Sequence, residues 1–260
     1  GYTRVRKTVS LDKSDTSVYD SAKDRFVVTC PNIEAKQMTE KAIVRIFDEN
    51  GNQVSILRSG NYVDEVSYAA YEWANYFIDN PNESDTPLAK ALLNYGQTAQ
   101  DYFEYRTDRP ALPAGTIKTE MAAKMAAVTA GSAYDQEKLP DAATYKAVQQ
   151  AGLRLNLVGD TELMIMFKTA DAKVKVNGKS VKLKQYSDTR WYVSIPNIAS
   201  QDLGKKYTLT ITYGETTATL KVCALSWANI MLATAGADEK EITMSKALYV
   251  YYNAAAEYFK

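Results

Sequence analysis

The residues able to do acid–base or nucleophilic chemistry set the first boundary. The 260-residue chain contains no histidine. That removes Ser-His-Asp and Cys-His nucleophile pairs, HExxH metal sites and imidazole proton shuttles together. What remains for catalysis is a carboxylate pair of the glycoside-hydrolysis kind. The acidic residues instead occupy turn-like settings: Asp48-Glu49 ahead of Asn50-Gly51, and Asp238 through Glu241 between two helical segments. "DENGN" (48–52) opens like a calcium loop but has no Glu at the twelfth position, so it reads as a hairpin turn. No GxGxxG, P-loop or GxSxG occurs. The expectation is a non-enzymatic chain with no catalytic residues, no metal site and no cofactor.

Cys30 ("FVVTC") and Cys223 ("LKVCAL") lie in apolar settings, where a free thiol packs as a small hydrophobe. Free thiols are expected, and a disulfide between them is the alternative. Lys+Arg and Asp+Glu both number 31, so no overall field draws the chain to nucleic acid or anionic lipid. "KVKVNGKSVKLK" (173–184) alternates lysine with apolar residues, which in a strand places the charges on one solvated face. No stretch approaches the ~18 apolar residues of a membrane span.

Nineteen tyrosines and three tryptophans are the remaining chemistry, and it is the chemistry of contact. Tyrosine supplies rigid, amphipathic area of the kind recognition surfaces use. Which of these residues are free to contact anything depends on the elements that hold them, and those elements repeat. "KALLNYGQTAQDYF" (90–103) and "KALYVYYNAAAEYF" (246–259) share seven of fourteen residues in register, where unrelated segments share about one. Leu92, Tyr95, Ala99 and Tyr102/Phe103 answer to Leu248, Tyr251, Ala255 and Tyr258/Phe259. Steps of three and four lay each set along one helical stripe, so a buried face is what repeats.

Upstream, "YEWANYFI" (71–78) matches "LSWANIML" (225–232), giving each copy a helical hairpin with Trp73 and Trp227 as equivalent core anchors. Farther back, "RFVVTCPNIEAKQM" (25–38) aligns on "RWYVSIPNIASQDL" (190–203). The shared Pro-Asn-Ile should end a strand. Alternating strands follow, with turns at Asn50-Gly51 and Gly214-Glu215 and returning strands at 53–58 and 216–222. The second copy carries two further strands about Gly159-Asp160 and a hairpin about Asn177-Gly178. Residues 1–24 are too few to match them. The first copy is therefore expected to be N-terminally truncated, with an unpaired edge left to be covered. Residues 119–130 read as a helix with Met121, Met125 and Val128 on one face, inside an Ala-rich connector.

The fold expectation is α+β: two tandem modules, each an antiparallel sheet or small sandwich capped by an α-helical hairpin. The first covers 1–110, a helical or irregular connector 111–150, and the second module 151–260.

"ALLNYGQTAQDYFEY", preceded by "YAAYEWANYFIDNP", resembles the "LVKAMLNYGAAAQKYFGY" pattern. That pattern closes a module of large secreted and cell-wall-bound surface proteins of gut Gram-positive anaerobes. "IPNIASQDLGKKYTLTI", "ALSWANIML" and "KALYVYYNAAAEYF" are similar to the module that follows it in tandem, and the similarity spans roughly 25–260. The resemblance carries no reaction. It implies an extracellular, cell-surface setting and non-catalytic binding or adhesion to a host protein, immunoglobulin among the candidates, or to a glycan. The alternative is a structural spacer displaying a neighbouring domain; an accessory or catalytic carbohydrate-active domain ranks third. The tyrosines that fall off the repeated stripe, Tyr249, Tyr252, Tyr105 and Tyr76, are the candidate contact residues, with Tyr249 and Tyr252 expected to form a patch one turn apart.

Overall fold

The computed structural model describes residues 8–28, 33–58, 60–106, 108–112, 115–130, 142–157 and 161–260. Cys30, Pro31-Asn32 and Gly159-Asp160, on which sequence expectations fall, lie outside them. The fold is α+β, built from helices and antiparallel strands. Its contacts divide it into two units, Gly1–Ile33 and Glu34–Lys260. This is not the division expected at 110–150.

The small unit is a two-stranded ladder, β1 (Tyr19–Asp20) with β2 (Arg25–Phe26). Asp24 turns the chain at φ 43°, and the Tyr19 phenol donates a short hydrogen bond to its carboxylate.

The large unit begins with a 3₁₀ turn at Ala35–Gln37, followed by six short strands. These are β3 (Ala42–Val44), β4 (Ile46–Phe47), β5 (Gln53–Val54), β6 (Ile56–Arg58), β7 (Asn61–Val63) and β8 (Val66–Tyr68). They pair as three nested two-stranded ladders: β3 with β8, β4 with β5, β6 with β7. The β4–β5 turn is closed by Asp48, whose Oδ1 accepts from the Asn50 and Asn52 amides (2.9 and 2.8 Å). A side-chain hydrogen bond from Asn52 Nδ2 to its Oδ2 (3.0 Å), followed by those amide bonds, holds its carboxyl below the usual range. The "DENGN" carboxylate is thus occupied by its own loop.

Two helices follow, α1 (Ala70–Asp79) and α2 (Asp85–Phe103), and then α3 (Thr116–Ala126) and α4 (Ala142–Ala147). The segment just after α2 is anchored to that helix. Gln100, fully buried, accepts from the Ala111 amide (3.0 Å) and donates to the Arg109 carbonyl (3.2 Å). Met121 is fully buried, and Val128 is buried just past the end of α3.

The chain continues through β9 (Gln150–Asn156), β10 (Glu162–Phe167), β11 (Lys173–Val176), β12 (Lys179–Val181), β13 (Lys184–Ser187) and β14 (Arg190–Ile195). After a 3₁₀ turn at Ser200–Asp202 come β15 (Tyr207–Tyr213), β16 (Thr216–Val222), α5 (Ala224–Ala233) and α6 (Glu239–Tyr258). The strands form two four-stranded antiparallel sheets, ordered β13-β14-β10-β9 and β12-β11-β15-β16. Asn177 and Gly178 take φ of 48° and 80°, the left-handed pair that a tight β11–β12 hairpin requires. Leu163, Ile165 and Phe167 from one sheet and Leu209, Ile211 and Leu220 from the other are buried in one cluster. This is the core of a β-sandwich.

The two repeats fold alike down to single bonds. The 3₁₀ turns 35–37 and 200–202 occupy aligned positions, and α1 and α5 are both ten residues long. The Tyr71 amide donates to the Met38 carbonyl (3.0 Å), and its counterpart Leu225 donates to Leu203 (3.2 Å). The side chain of Glu72 accepts from the Ala69 amide (2.9 Å), and Ser226 accepts from Cys223 (3.0 Å). Cys223 is a buried free thiol.

The copies nevertheless share a core. Ala91, Tyr95 and Ala99 of α2 belong to the same buried cluster as Ala247 and Ala255 of α6. Tyr95 stacks on its own counterpart Tyr251, with ring centroids 5.0 Å apart and planes 5° from parallel. The opposite face of α2 offers Ala89 and Leu93 to a smaller cluster with Ala74 of α1 and Met38. α2 is thus buried on two faces, one in the cluster it shares with α6 and one in the cluster it shares with α1.

One exchange marks how each copy packs its 3₁₀ turn. In the first, Gly96 of α2 makes room for Met38: a Cβ there would overlap the thioether. In the second, the equivalent of Gly96 is Tyr252, and the glycine has moved to Gly204, over which the Tyr252 ring lies. An exposed helical Gly→Ala change gains up to about 1 kcal/mol. Gly96→Ala should instead lose about 2 kcal/mol through overpacking, measured by urea unfolding, with Met38→Ala in the same chain recovering part of it.

Burial also pushes the phenol pKa values of Tyr95 and Tyr251 up from their ordinary 10.0. Below that value both states keep these protons. Above it the unfolded chain ionises first, binds fewer protons, and stability falls as pH rises. The melting temperature should therefore drop as pH rises above about 10. The Tyr95→Phe/Tyr251→Phe double variant should flatten that slope.

Candidate functional site

Alternation along β10 sends Leu163, Ile165 and Phe167 inward and leaves Glu162, Met164 and Met166 on the sandwich's outer face. A bare methionine pair on an outer face is an apolar liability, yet Met164 and Met166 are only 9% and 5% exposed. The register shows what flanks them. Met164 lies between Arg154 and Ser194, and Met166 between Gly152 and Tyr192.

Arg154 stands on edge strand β9 and Tyr186 on the opposite edge, β13. Three strand spacings separate these edges, about 14 Å. The Arg154 guanidinium nevertheless donates a short hydrogen bond to the Tyr186 phenol oxygen and lies 5.0 Å from its ring centroid. They meet only because both side chains lie across the central strands, covering apolar surface with long stems while their polar heads stay wet. Tyr192 meets Tyr186 edge-on (6.2 Å, 89°), and Lys184 Nζ sits 5.9 Å from the Tyr192 ring. At the far end Glu162 accepts a short hydrogen bond from Ser194 and another from Asn156 Nδ2 (3.3 Å). The result is an aromatic and cationic strip with a carboxylate at one end, built on a packed sandwich. Tyr186, 47% exposed, is its most accessible ring.

The four tyrosines singled out by sequence are not brought together. Tyr249 is fully buried, which corrects the expectation that it faces a partner. Its counterpart Leu93 is also fully buried: the position repeats as burial, although the residue type does not. Four consecutive residues of α6, Ala247 through Val250, are buried, because the helix packs against α5, α2 and the 3₁₀ turn at once. Tyr252 is half-buried over Gly204, so the expected Tyr249/Tyr252 patch does not exist.

Tyr105 is half-buried, and its phenol donates to Glu40 Oε1 (3.4 Å), a carboxylate that also accepts from Arg106 Nε (2.7 Å). Tyr76 alone is presented openly, 59% exposed, edge-on to Phe77 (5.2 Å), which is in turn edge-on to Trp73 (5.0 Å). Conversely Tyr258 and Phe259, read as core residues, are 38% and 56% exposed at the end of α6, where the helix outruns its neighbours.

The strip residues Arg154, Lys184, Tyr186 and Tyr192 were not singled out from sequence. For the last three the signal is strand alternation in "KQYSDTRWYVSI" (184–195), where Trp191, Val193 and Ile195 point inward and their neighbours outward. Among the described residues no group of acidic, cysteine or histidine side chains could hold a metal ion, and hydrogen bonds hold the carboxyls of Asp12, Asp15, Asp24, Asp48, Glu104 and Glu120 below the usual range. Family models, curated proteins and solved structures all fail to match this chain.

Tyr249→Ala should cost about 3–5 kcal/mol, the range for truncating a buried aromatic. Urea unfolding measures it. A variant as stable as the parent would return Tyr249 to the surface.

Proposed function

We propose that this chain is a non-catalytic binding and adhesion module of an extracellular bacterial surface protein, contacting a host protein, with immunoglobulin among the candidates, or a glycan. The tandem-module reading goes with it, two α+β copies related by duplication, and so does a cell-surface location. The observation that carries the reading is the Arg154–Tyr186–Tyr192–Lys184 strip. Tyrosine and arginine are the residue types enriched in protein interfaces and at their energetic centres. A preformed sheet face also loses little side-chain entropy on docking. The exposed Tyr76 supplies a second, separate aromatic contact on α1.

The spacer alternative draws on a different feature, the α2–α6 contact that fuses both helical hairpins into one core. Such a core transmits position rather than recognising a ligand. The two readings separate in one experiment: immunoglobulin fragments and a glycan panel are titrated against the parent and Arg154→Ala/Tyr186→Ala. A recognition strip predicts at least about a tenfold loss in affinity. Undiminished binding by the double variant removes the strip from the function, and no binding by the parent favours the spacer.

A further inference from the structure

Where β12 ends, the sandwich opens. β12 pairs with β11 only as far as Val181, opposite Val174, so the Lys173 end of β11 has no strand beside it on that side. Residues 182–183 then carry the chain from one sheet to the other, into β13. At this crossing lies a cavity of about 820 Å³, lined from both sheets. Small-molecule sites occupy about 300–1,000 Å³.

The cavity combines an apolar floor with a cationic rim. Val181, Leu183 and the half-buried Trp191 line it and pack against the sandwich core. Lys173, Lys175 and Lys182 line it as exposed cations. Among the described residues none of these three lysines has a carboxylate partner, and no Asp or Glu lines the cavity. Asp171, the nearest acidic residue in sequence, accepts instead from Thr169 Oγ1 (3.2 Å). Register sets hydroxyls beside the ammonium groups: Lys175 lies between Ser180 and Thr210, and Lys173 opposite Thr212.

Three cations without a local counter-ion select an anion, and the donor types select its kind. A planar carboxylate is matched by the fork of arginine, and no arginine lines this cavity. Ammonium groups and hydroxyls are single-point donors, suited to an oxyanion whose oxygens diverge, such as a sulfate ester. A nucleic acid suits the site less well. It is drawn by an extended basic field and stacks successive bases on several aromatic faces. This chain balances 31 basic against 31 acidic residues, and the cavity offers one indole.

We infer that this cavity binds a sulfated saccharide, with the sulfate held by Lys173, Lys175 and Lys182 and the sugar against Trp191. The preference for a saccharide rests on the extracellular reading above, while the site itself is separate from the Arg154–Tyr186 strip.

Calorimetric titration of the 260-residue chain with a heparin-type hexasaccharide, its desulfated counterpart and a single-stranded DNA of equal charge tests it. The parent should bind the sulfated sugar at least about tenfold more tightly than either of the others, and more weakly as salt rises. Lys173→Gln/Lys175→Gln/Lys182→Gln should lower that affinity about tenfold, with melting unchanged because all three side chains are exposed. Lys118→Gln/Lys124→Gln/Lys146→Gln removes the same charge from α3 and α4 and should leave binding intact, as should Arg154→Ala/Tyr186→Ala. A parent that does not bind the sulfated hexasaccharide below about 1 mM overturns the proposal, and so does equal binding of the DNA or the desulfated sugar. Affinity that survives the cavity variant, or falls as far in the α3–α4 variant, overturns it too. Loss of the sulfated sugar in the Arg154/Tyr186 variant alone would assign that ligand to the strip instead, overturning the cavity and leaving the strip in place.

Discussion

The stack of Tyr95 on Tyr251 is the contact on which the arrangement of the large unit depends. Each ring meets the residue that occupies its own place in the other copy, and the alanines one turn away on both sides are the same: Ala91 and Ala99 on α2, Ala247 and Ala255 on α6. Small residues flanking a flat ring let two helices approach closely enough for the rings to lie parallel. A duplication that simply tied two modules together would leave each helical hairpin to bury its own stripe. Here the conserved stripe of each hairpin is spent on the other. The seven identities between 90–103 and 246–259 therefore record one interface written twice, as well as two similar helices.

That use of the stripe explains why so much of α2 and α6 is inaccessible. A helix facing one neighbour buries about a third of its circumference. α2 faces α1 on one side, α6 on another and a 3₁₀ turn on a third, and nine of its residues between Leu88 and Gln100 are buried apart from the glycine. The polar residues caught inside are put to work: Gln100 satisfies both ends of its amide against Thr39, Arg109 and Ala111, thereby anchoring the segment after the helix. A buried amide left unpaired would cost about 1–3 kcal/mol. The path of residues 109–111 is thus fixed by the polar requirements of a buried helix.

These features mark where sequence was readable and where it was not. Helical hairpins, the Asn177-Gly178 turn and the β9–β10 and β15–β16 pairs could be read because periodicity and turn chemistry are local properties. The site was far less legible. Tyr249 and Tyr252 look free by comparison with Leu93 and Gly96, since residue type differs at both positions. Yet one is core in both copies, and the other fills a gap opened by a glycine 48 residues earlier in the chain. Residue identity alone cannot report a compensating exchange between segments that do not neighbour one another. Arg154 and Tyr186 were equally hidden, because they meet across two intervening strands whose order emerges only with the sheet.

The asymmetry between the copies is the more telling departure from the repeat. Both hairpins have the same register at their base, so the instructions for pairing are intact in each. What differs lies beyond the base. The first copy has eleven more residues between its paired strands, folded into β4–β5 and β6–β7, and Val44 is 44% exposed where its counterpart Leu209 is fully buried. Leu57 and Tyr62 of the added β6–β7 hairpin are more open still, at 62% and 75%. Burying even two side chains of the size of Leu57 and Tyr62 is worth about 1.5–3 kcal/mol each. Ala42, Ile43 and Val44 make β3 apolar on both faces, and Ile43 at 51% is as open as Val44 at 44%, so exposure is not confined to the face that the second copy seals. The seal over Leu209, Leu220 and Val222 comes from strands outside the hairpin, so hairpin register and hairpin burial are set by different parts of the chain.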